Sequence, residues 1–215
     1  MIASLVLAAA AAAGPHDATV HHGFGDVQHW VEVFDDPGRD AWQKPDEILD
    51  SLHVRTGMTV ADLGAGTGYF SVRLAQRVGA DGRVLAIDVE PKLVDYIKER
   101  AAHASLPQIE AVLAPANDPK LPPHAVDLVL IVDTWHHIDD RVRYLAKLAS
   151  GLTPQGRVAV VDFKKGDFPV GPPDAHKLTS EAVVKEFSEA GWALAERRDD
   201  LPYQYVLSFS PPAPK

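Results

Sequence analysis

The feature that most constrains the fold is the run Val60-Ala-Asp-Leu-Gly-Ala-Gly-Thr-Gly68. Met58 to Leu63 is a short apolar segment rich in strand formers, and it runs straight into Gly64, Gly66 and Gly68. Glycine takes positive φ without steric penalty, so such a run turns sharply and lets a ligand approach the backbone. Phe70, Val72, Leu74, Ala75 and Val78 then give a helix its buried side, and Gly79-Ala-Asp-Gly82 ends it. A helix that begins near Thr67 points its free N–H groups at the end of the strand. A second strand, Arg83 to Ile87, closes on Asp88, about twenty residues after the glycine loop, where a carboxylate can accept hydrogen bonds from the two hydroxyls of a ribose. Glycine loop, helix and strand-end acid in this register predict a nucleoside-containing ligand.

The rest of the chain repeats the alternation. Pro45-Asp46-Glu47 opens a helix with proline early and acids in the first turn, and Ile48, Leu49 and Leu52 form its apolar face. Pro91 starts another, through Leu93, Val94, Ile97 and Ala101, and Ile109 to Leu113 is a third strand. Val126 to Val132 is almost continuously apolar, as a parallel strand covered on both faces must be. A helix follows from about Asp139 to Ser150, with Gly151 and Pro154 marking its end and the next loop, and Gly156 to Val161 is the fifth strand. Thr179 caps a further helix whose apolar face is Val183, Val184 and Phe187. Trp192 to Arg197 and Tyr203 to Phe209 read as a final hairpin, and Ser210-Pro-Pro-Ala-Pro ends regular structure. Strands alternating with helices over this length predict an α/β, Rossmann-like, doubly wound sheet.

The loop chemistry separates the possible nucleoside ligands. A dinucleotide fingerprint is Gly-x-Gly-x-x-Gly. Here the spacing is Gly-x-Gly-x-Gly, Tyr69 follows the last glycine, and Asp62 lies two residues before the first. A pyrophosphate is repelled by a nearby carboxylate, whereas an ammonium group is attracted. These features, and the lack of a second domain, speak against an NAD-dependent oxidoreductase.

Val60 to Gly68 resembles motif I of the class I S-adenosylmethionine-dependent methyltransferases, and Asp88 is similar to the ribose-binding acid of their next motif. Leu121-Pro122 before Val126-Asp-Leu-Val129 resembles the small-molecule branch that includes the ubiquinone and menaquinone biosynthesis enzymes. Leu152-Thr-Pro-Gln-Gly-Arg-Val158 is similar to that family's entry to strand five, with Gln155 in place of one glycine. The resemblance covers about Pro45 to Phe209 and implies a seven-stranded sheet with an antiparallel last strand. It implies S-adenosylmethionine as cofactor and a small-molecule acceptor. Gly64, Ala65, Gly66 and Gly68 would wrap the methionine and ribose part, Asp62 the amino group and Asp88 the ribose hydroxyls, with Val89 beside the adenine. Asn117 and Asp118 fall in the loop that touches the adenine edge, where Pro115 stands in place of a common Asp.

Methyl transfer from a sulfonium needs alignment and exclusion of water, and a protonated nucleophile also needs a base. Asp133-Thr-Trp-His-His137, just after strand four, supplies the candidates: Asp133 where cofactor and acceptor meet, and His136 or His137 facing the methyl group. The alternative is that both histidines only shape the pocket wall. Asp162 with Lys164 and Lys165, after strand five, is a candidate site for an anionic group of the acceptor, and Val170 to His176 is a rigid loop that could border the pocket. In enzymes of the resembled family the N-terminal segment folds over the cofactor, so Trp30 to Gln43, with Trp30, Phe34 and Trp42, is expected to be a lid.

Composition closes off other functions. The net charge of −9, from 21 basic and 30 acidic residues, disfavours a nucleic-acid substrate. With no cysteine, thiolate catalysis and cysteine-based zinc sites are excluded. His16, His21, His22 and His29, with Asp17 and Asp26, match no closed metal-ligand spacing, so no metal site is expected. Ile2 to Ala13 is too short to span a bilayer, and its alanine-rich end suits a secretory signal, although no Lys or Arg precedes it. Export conflicts with a cofactor made in the cytoplasm. The expected organisation is a signal or apolar tail over 1–15, a His-rich linker and lid over 16–44, the methyltransferase domain over 45–210 and a tail over 211–215. A non-catalytic carrier or sensor of the same fold is the competing reading.

Overall fold

The computed structural model describes residues 26–213. The expected signal at 1–15 and the histidines His16, His21 and His22 lie outside the described residues. Seven strands form one sheet in the order β3-β2-β1-β4-β5-β7-β6. They are β1 (Thr59–Leu63), β2 (Arg83–Asp88), β3 (Ile109–Leu113), β4 (Val126–Val132), β5 (Leu152–Phe163), β6 (Ala193–Arg198) and β7 (Gln204–Ser210). β1 pairs in parallel with β2 and β4, and β7 runs antiparallel to both β5 and β6. The chain order turns back at β1, where β2 and β4 lie on opposite sides, so a crevice forms beyond the carboxyl ends of β1 and β4.

The helices are α1 (Val27–Phe34), α2 (Arg39–Gln43), α3 (Pro45–Ser51), α4 (Tyr69–Val78), α5 (Pro91–His103), α6 (Arg141–Gly151) and α7 (Ser180–Glu189). One face of the sheet packs on α6 and α7 through Leu145, Leu148, Val183 and Phe187. The other packs on α3 and α4 through Ile48, Leu49, Leu74 and Val78. β4 shows why its sequence is unbroken: Val129 and Ile131 enter the first core, Leu128 and Leu130 the second. Each of these side chains is fully buried, which contributes about 1.5–3 kcal/mol apiece. Among the described residues no helix is long and apolar enough to cross a membrane.

Two boundaries differ from expectation. The helix after the histidines begins at Arg141 rather than Asp139, with Asp140 at its N-cap in a left-handed conformation. Pro154 lies inside β5 rather than in a loop. The ladder between β4 and β5 shifts register between Val126 and Leu128, and Thr153 Oγ1 donates to Asp127 there. Proline lacks a ladder N–H, and such an irregularity is where a strand tolerates it.

Candidate active site

The glycine loop is shaped by what lies around it. Gly64 N–H and Ala65 N–H both donate to Ile87 C=O, at 2.9 and 3.0 Å, which draws the turn over the end of β2. Gly64 has φ +75, and a Cβ there would run into the Thr134 side chain. Gly66 has φ +58, and a Cβ would come within 3.2 Å of the Phe34 ring. Gly68, also at positive φ, forms the N-cap of α4, and Ala65 is buried beside Ala86 and Ile97.

Asp88 is locked below this loop. Its Oδ2 accepts Gly66 N–H at 2.8 Å and its Oδ1 accepts Glu90 N–H at 3.0 Å. Burial raises its pKa, and the backbone N–H groups of Glu90, Gly66 and Val89 oppose that rise. Three N–H groups leave the carboxylate with acceptor capacity for another donor. Val89 is 53% exposed and Leu113, whose strand pairs with β2 at Asp88, is 52% exposed. Asp62, next to last in β1 one strand away, is buried and accepts the Ser71 hydroxyl at 2.6 Å. Burial pushes its pKa up to about 6, with the charge of Asp88 adding to the rise and Ser71 opposing it.

Asn117 and Asp118 lie in the loop beyond β3. Lys147 of α6 donates to Asn117 C=O at 2.6 Å and pairs with Asp118 at 3.5 Å, and Asp118 also accepts Lys120 N–H. The Asp118 carboxylate is therefore committed to the loop itself, while the Asn117 side chain is exposed.

The second half of the site crosses the ends of β4 and β5. His136, in a single 3-10 turn of Trp135–His137, places Nδ1 2.9 Å from Asp162 Oδ2 and 3.1 Å from Oδ1. Asp162 is fully buried at 0% exposure, and Phe163 N–H also donates to it. Burial alone would lower the His136 pKa, but the hydrogen bond and charge of Asp162 overcome it and raise the pKa. Asp133 sits beside them at φ +50. It accepts Gln204 Nε2 at 2.6 Å and Gln43 Nε2 at 3.4 Å. Burial raises its pKa, and the charge of Asp162 raises it further. His137 is exposed, with its ring centroid 4.1 Å from that of His136. Trp42, Phe163, Tyr203 and Phe168 form a chain of rings beside this cluster, with centroids 5.2 to 6.0 Å apart.

Lys164 and Lys165 do not reach that cluster. Lys164 Nζ donates to the carbonyls of Asp199 and Leu201, and Lys165 Nζ to that of Asp174. Both ammonium groups tie loops together instead of facing an acceptor, and Asp162 serves His136. His176 lies in a second 3-10 turn within the Val170–His176 loop.

The segment before β1 packs on the glycine loop. Asp35 accepts the Thr67 hydroxyl at 3.1 Å and pairs with Arg100 of α5 at 2.7 Å, and Arg100 also donates to Thr67 C=O. Arg39 lies 4.0 Å over the ring of Tyr69. Gln43, Gln204, Arg39 and Asp35 were not legible as site residues. Gln43 and Gln204 hydrogen-bond across 161 positions of sequence, and no local pattern announces such a pair.

Comparison with known proteins finds similarity in both sequence and fold. A family profile described as "Methyltransferase domain" matches residues 60–156. An aklanonic acid methyltransferase of Streptomyces sp. (strain C5) is 30% identical over 161 residues, covering 74% of this chain and 70% of that protein. A ubiquinone/menaquinone biosynthesis C-methyltransferase of Francisella philomiragia is 29% identical over 130 residues, and the match spans 60% of this chain but only 51% of that relative. A solved S-adenosylmethionine-dependent methyltransferase from Aquifex aeolicus superposes with a TM-score of 0.81 at 27% identity, covering 86% of this chain and 97% of that one. With the matching strand order and the antiparallel β7, these similarities settle the family and the cofactor: the chain belongs to the class I S-adenosylmethionine-dependent methyltransferases.

Proposed function

We propose that this methyltransferase acts on a small organic acceptor whose nucleophilic atom, a hydroxyl oxygen or an acidic carbon, must lose a proton, and that His136 takes that proton. The observation that carries this reading is the His136–Asp162 pair, buried at the carboxyl ends of the strands beside the glycine loop. Names among the relatives, for aklanonic acid and for ubiquinone/menaquinone biosynthesis, support a small organic acceptor.

The residues present fit the cofactor. Gly64 and Gly66 hold backbone conformations and close approaches that a side chain would block. Asp88 stands ready for the ribose hydroxyls, and Val89 and Leu113 offer exposed apolar surface at adjoining strand ends for the adenine. Asp62 suits the amino group. Asn117 stays the candidate for the adenine edge, and Asp118 acts by holding that loop to α6.

Bound S-adenosylmethionine supplies an activated methyl group on its sulfonium. The chain then has to align the acceptor, exclude water and remove one proton. Neutral His136 donates Nδ1–H to Asp162 and presents Nε2 as base, and Asp162 stabilises the imidazolium that forms. Asp133, held by Gln204 and Gln43, keeps a second carboxyl next to the pair and favours positive charge on His136. His137 packs on the His136 ring and restrains its rotation. The rings of Trp42, Phe163, Tyr203 and Phe168 make a wall suited to an apolar acceptor.

Calorimetric titration of S-adenosylmethionine, followed by release of S-adenosylhomocysteine on a panel of phenolic and 1,3-dicarbonyl acceptors, tests the reading. Binding lost in Asp88→Ala and turnover lost in His136→Ala are the expected results. Turnover on any acceptor that His136→Ala leaves intact would overturn the role of His136.

A further inference from the structure

Arg39 is a cation without an anion. It opens α2, half-buried, and no carboxylate among the described residues forms an ion pair with it. Its hydrogen bonds stay within its own segment, to Phe34 C=O at 2.7 Å and to the Gln43 side chain. A guanidinium carries five N–H donors, so most of its capacity is unspent. Its Cζ lies 4.0 Å from the centre of the Tyr69 ring, and Tyr69 begins α4 directly after Gly68. The cation–π contact holds the group in place and its two hydrogen bonds leave N–H donors free, and such a planar fork takes a carboxylate in two parallel hydrogen bonds.

The charges around it are arranged in a specific way. Asp133, Asp35 and Asp62 all act on Arg39 from a distance, and burial lowers its pKa against their pull. Asp35 is spoken for by Arg100 and Thr67, Asp62 by Ser71, and Asp133 by Gln204 and Gln43. Arg39 and Asp62 feel each other's charge without forming an ion pair, and a cation and an anion so related suit a zwitterion. An α-amino acid is one, with ammonium and carboxylate on the same carbon.

We propose that Arg39 binds the α-carboxylate at the methionine end of S-adenosylmethionine, opposite Asp62 at the α-amino group. The proposal rests on the glycine loop being the cofactor's site. It gives the lid a direct part in binding, since α2 gains its missing counterion only when the cofactor is present. Closure of α1 and α2 and cofactor affinity are thereby coupled.

The test compares S-adenosylmethionine with its decarboxylated form, which keeps the nucleoside, the sulfonium and the ammonium. Calorimetry is done on the full chain. The wild type should bind the intact cofactor about 10- to 100-fold more tightly than the decarboxylated one, the range expected for a charge-assisted hydrogen-bonded pair. Arg39→Gln should lose that preference by weakening the intact cofactor alone, and Arg39→Lys should lose part of it. Binding of the decarboxylated form serves as the check on folding. If Arg39→Gln does not fold, the wild-type preference and its partial loss in Arg39→Lys decide the matter. Equal weakening of both ligands, or no change in either, overturns the role of Arg39. Failure of the wild type to bind either ligand strikes instead at the assignment of the glycine loop.

Discussion

His136 Nδ1 and Asp162 Oδ2 stand 2.9 Å apart across the ends of two neighbouring strands, with the histidine side chain 4% exposed and the aspartate 0%. The pair fixes which imidazole nitrogen is left for chemistry. It also sets the pH at which that nitrogen is available.

The acid limb of kcat/KM reports the pKa of the free enzyme's base. Asp162 raises the His136 pKa above its ordinary value of 6.5, so activity should climb with pH through a midpoint above 6.5. Asp162→Asn removes the charge that favours imidazolium but leaves the burial that disfavours it. The midpoint should move down while kcat falls about 100-fold or more. A pH–rate profile of both proteins checks this, and an unmoved acid limb would count against His136 as base.

Asp62 sets function against stability. Its folded pKa of about 6 exceeds its ordinary 3.8, so the folded chain binds more protons than the unfolded chain between those values. Stability contributed by the group is present at low pH and lost as pH rises through that window. Asp62→Asn keeps an acceptor for Ser71 and removes the buried charge. It should stabilise the protein by up to about 3 kcal/mol at pH 8 and by almost nothing at pH 4, while weakening S-adenosylmethionine. Denaturant titrations at the two pH values, with calorimetry of the cofactor, measure both effects.

Gly64→Ala meets two obstacles, a φ of +75 and the Thr134 side chain. The expected loss is about 1–3 kcal/mol, from backbone strain and overpacking together. Adding Thr134→Gly should return only the steric part. Full recovery in the double variant, read from urea midpoints, would show that the backbone is not strained there.

Asp35 ties the segment after α1 to the glycine loop and α5 through Thr67 and Arg100. Asp35→Asn should change global stability by about 1 kcal/mol or less, because the pair is partly exposed. Its effect should appear in kinetics instead, as faster cofactor release and faster hydrogen exchange in α1 and α2. Stopped-flow dissociation and exchange mass spectrometry would reveal it, and unchanged rates would argue that α1 is held by other contacts.

The sequence by itself determined the sheet and the half of the candidate site built from the glycine turn and the strand-end acid. The strand at 126–132 and the Thr179 cap are where the pattern places them, because a strand covered on both faces must be apolar throughout and a helix start needs its own local acceptor. Asp62, Gly64, Gly66 and Asp88 were legible as candidates because a turn at the end of a strand and an acid at the end of the next are local patterns. Tertiary structure alone decided the other half. His136 meets Asp162 over 26 positions, Gln43 reaches Gln204 over 161, and Arg39 settles on Tyr69 only when α2 folds back across the loop. The same holds for Lys164 and Lys165, whose charges look available in sequence until the carbonyls of distant loops take them. Periodicity carries information about burial, which is a property of neighbours along one element. Which polar groups end up facing each other depends on strand order and register, and those arise only when the sheet closes.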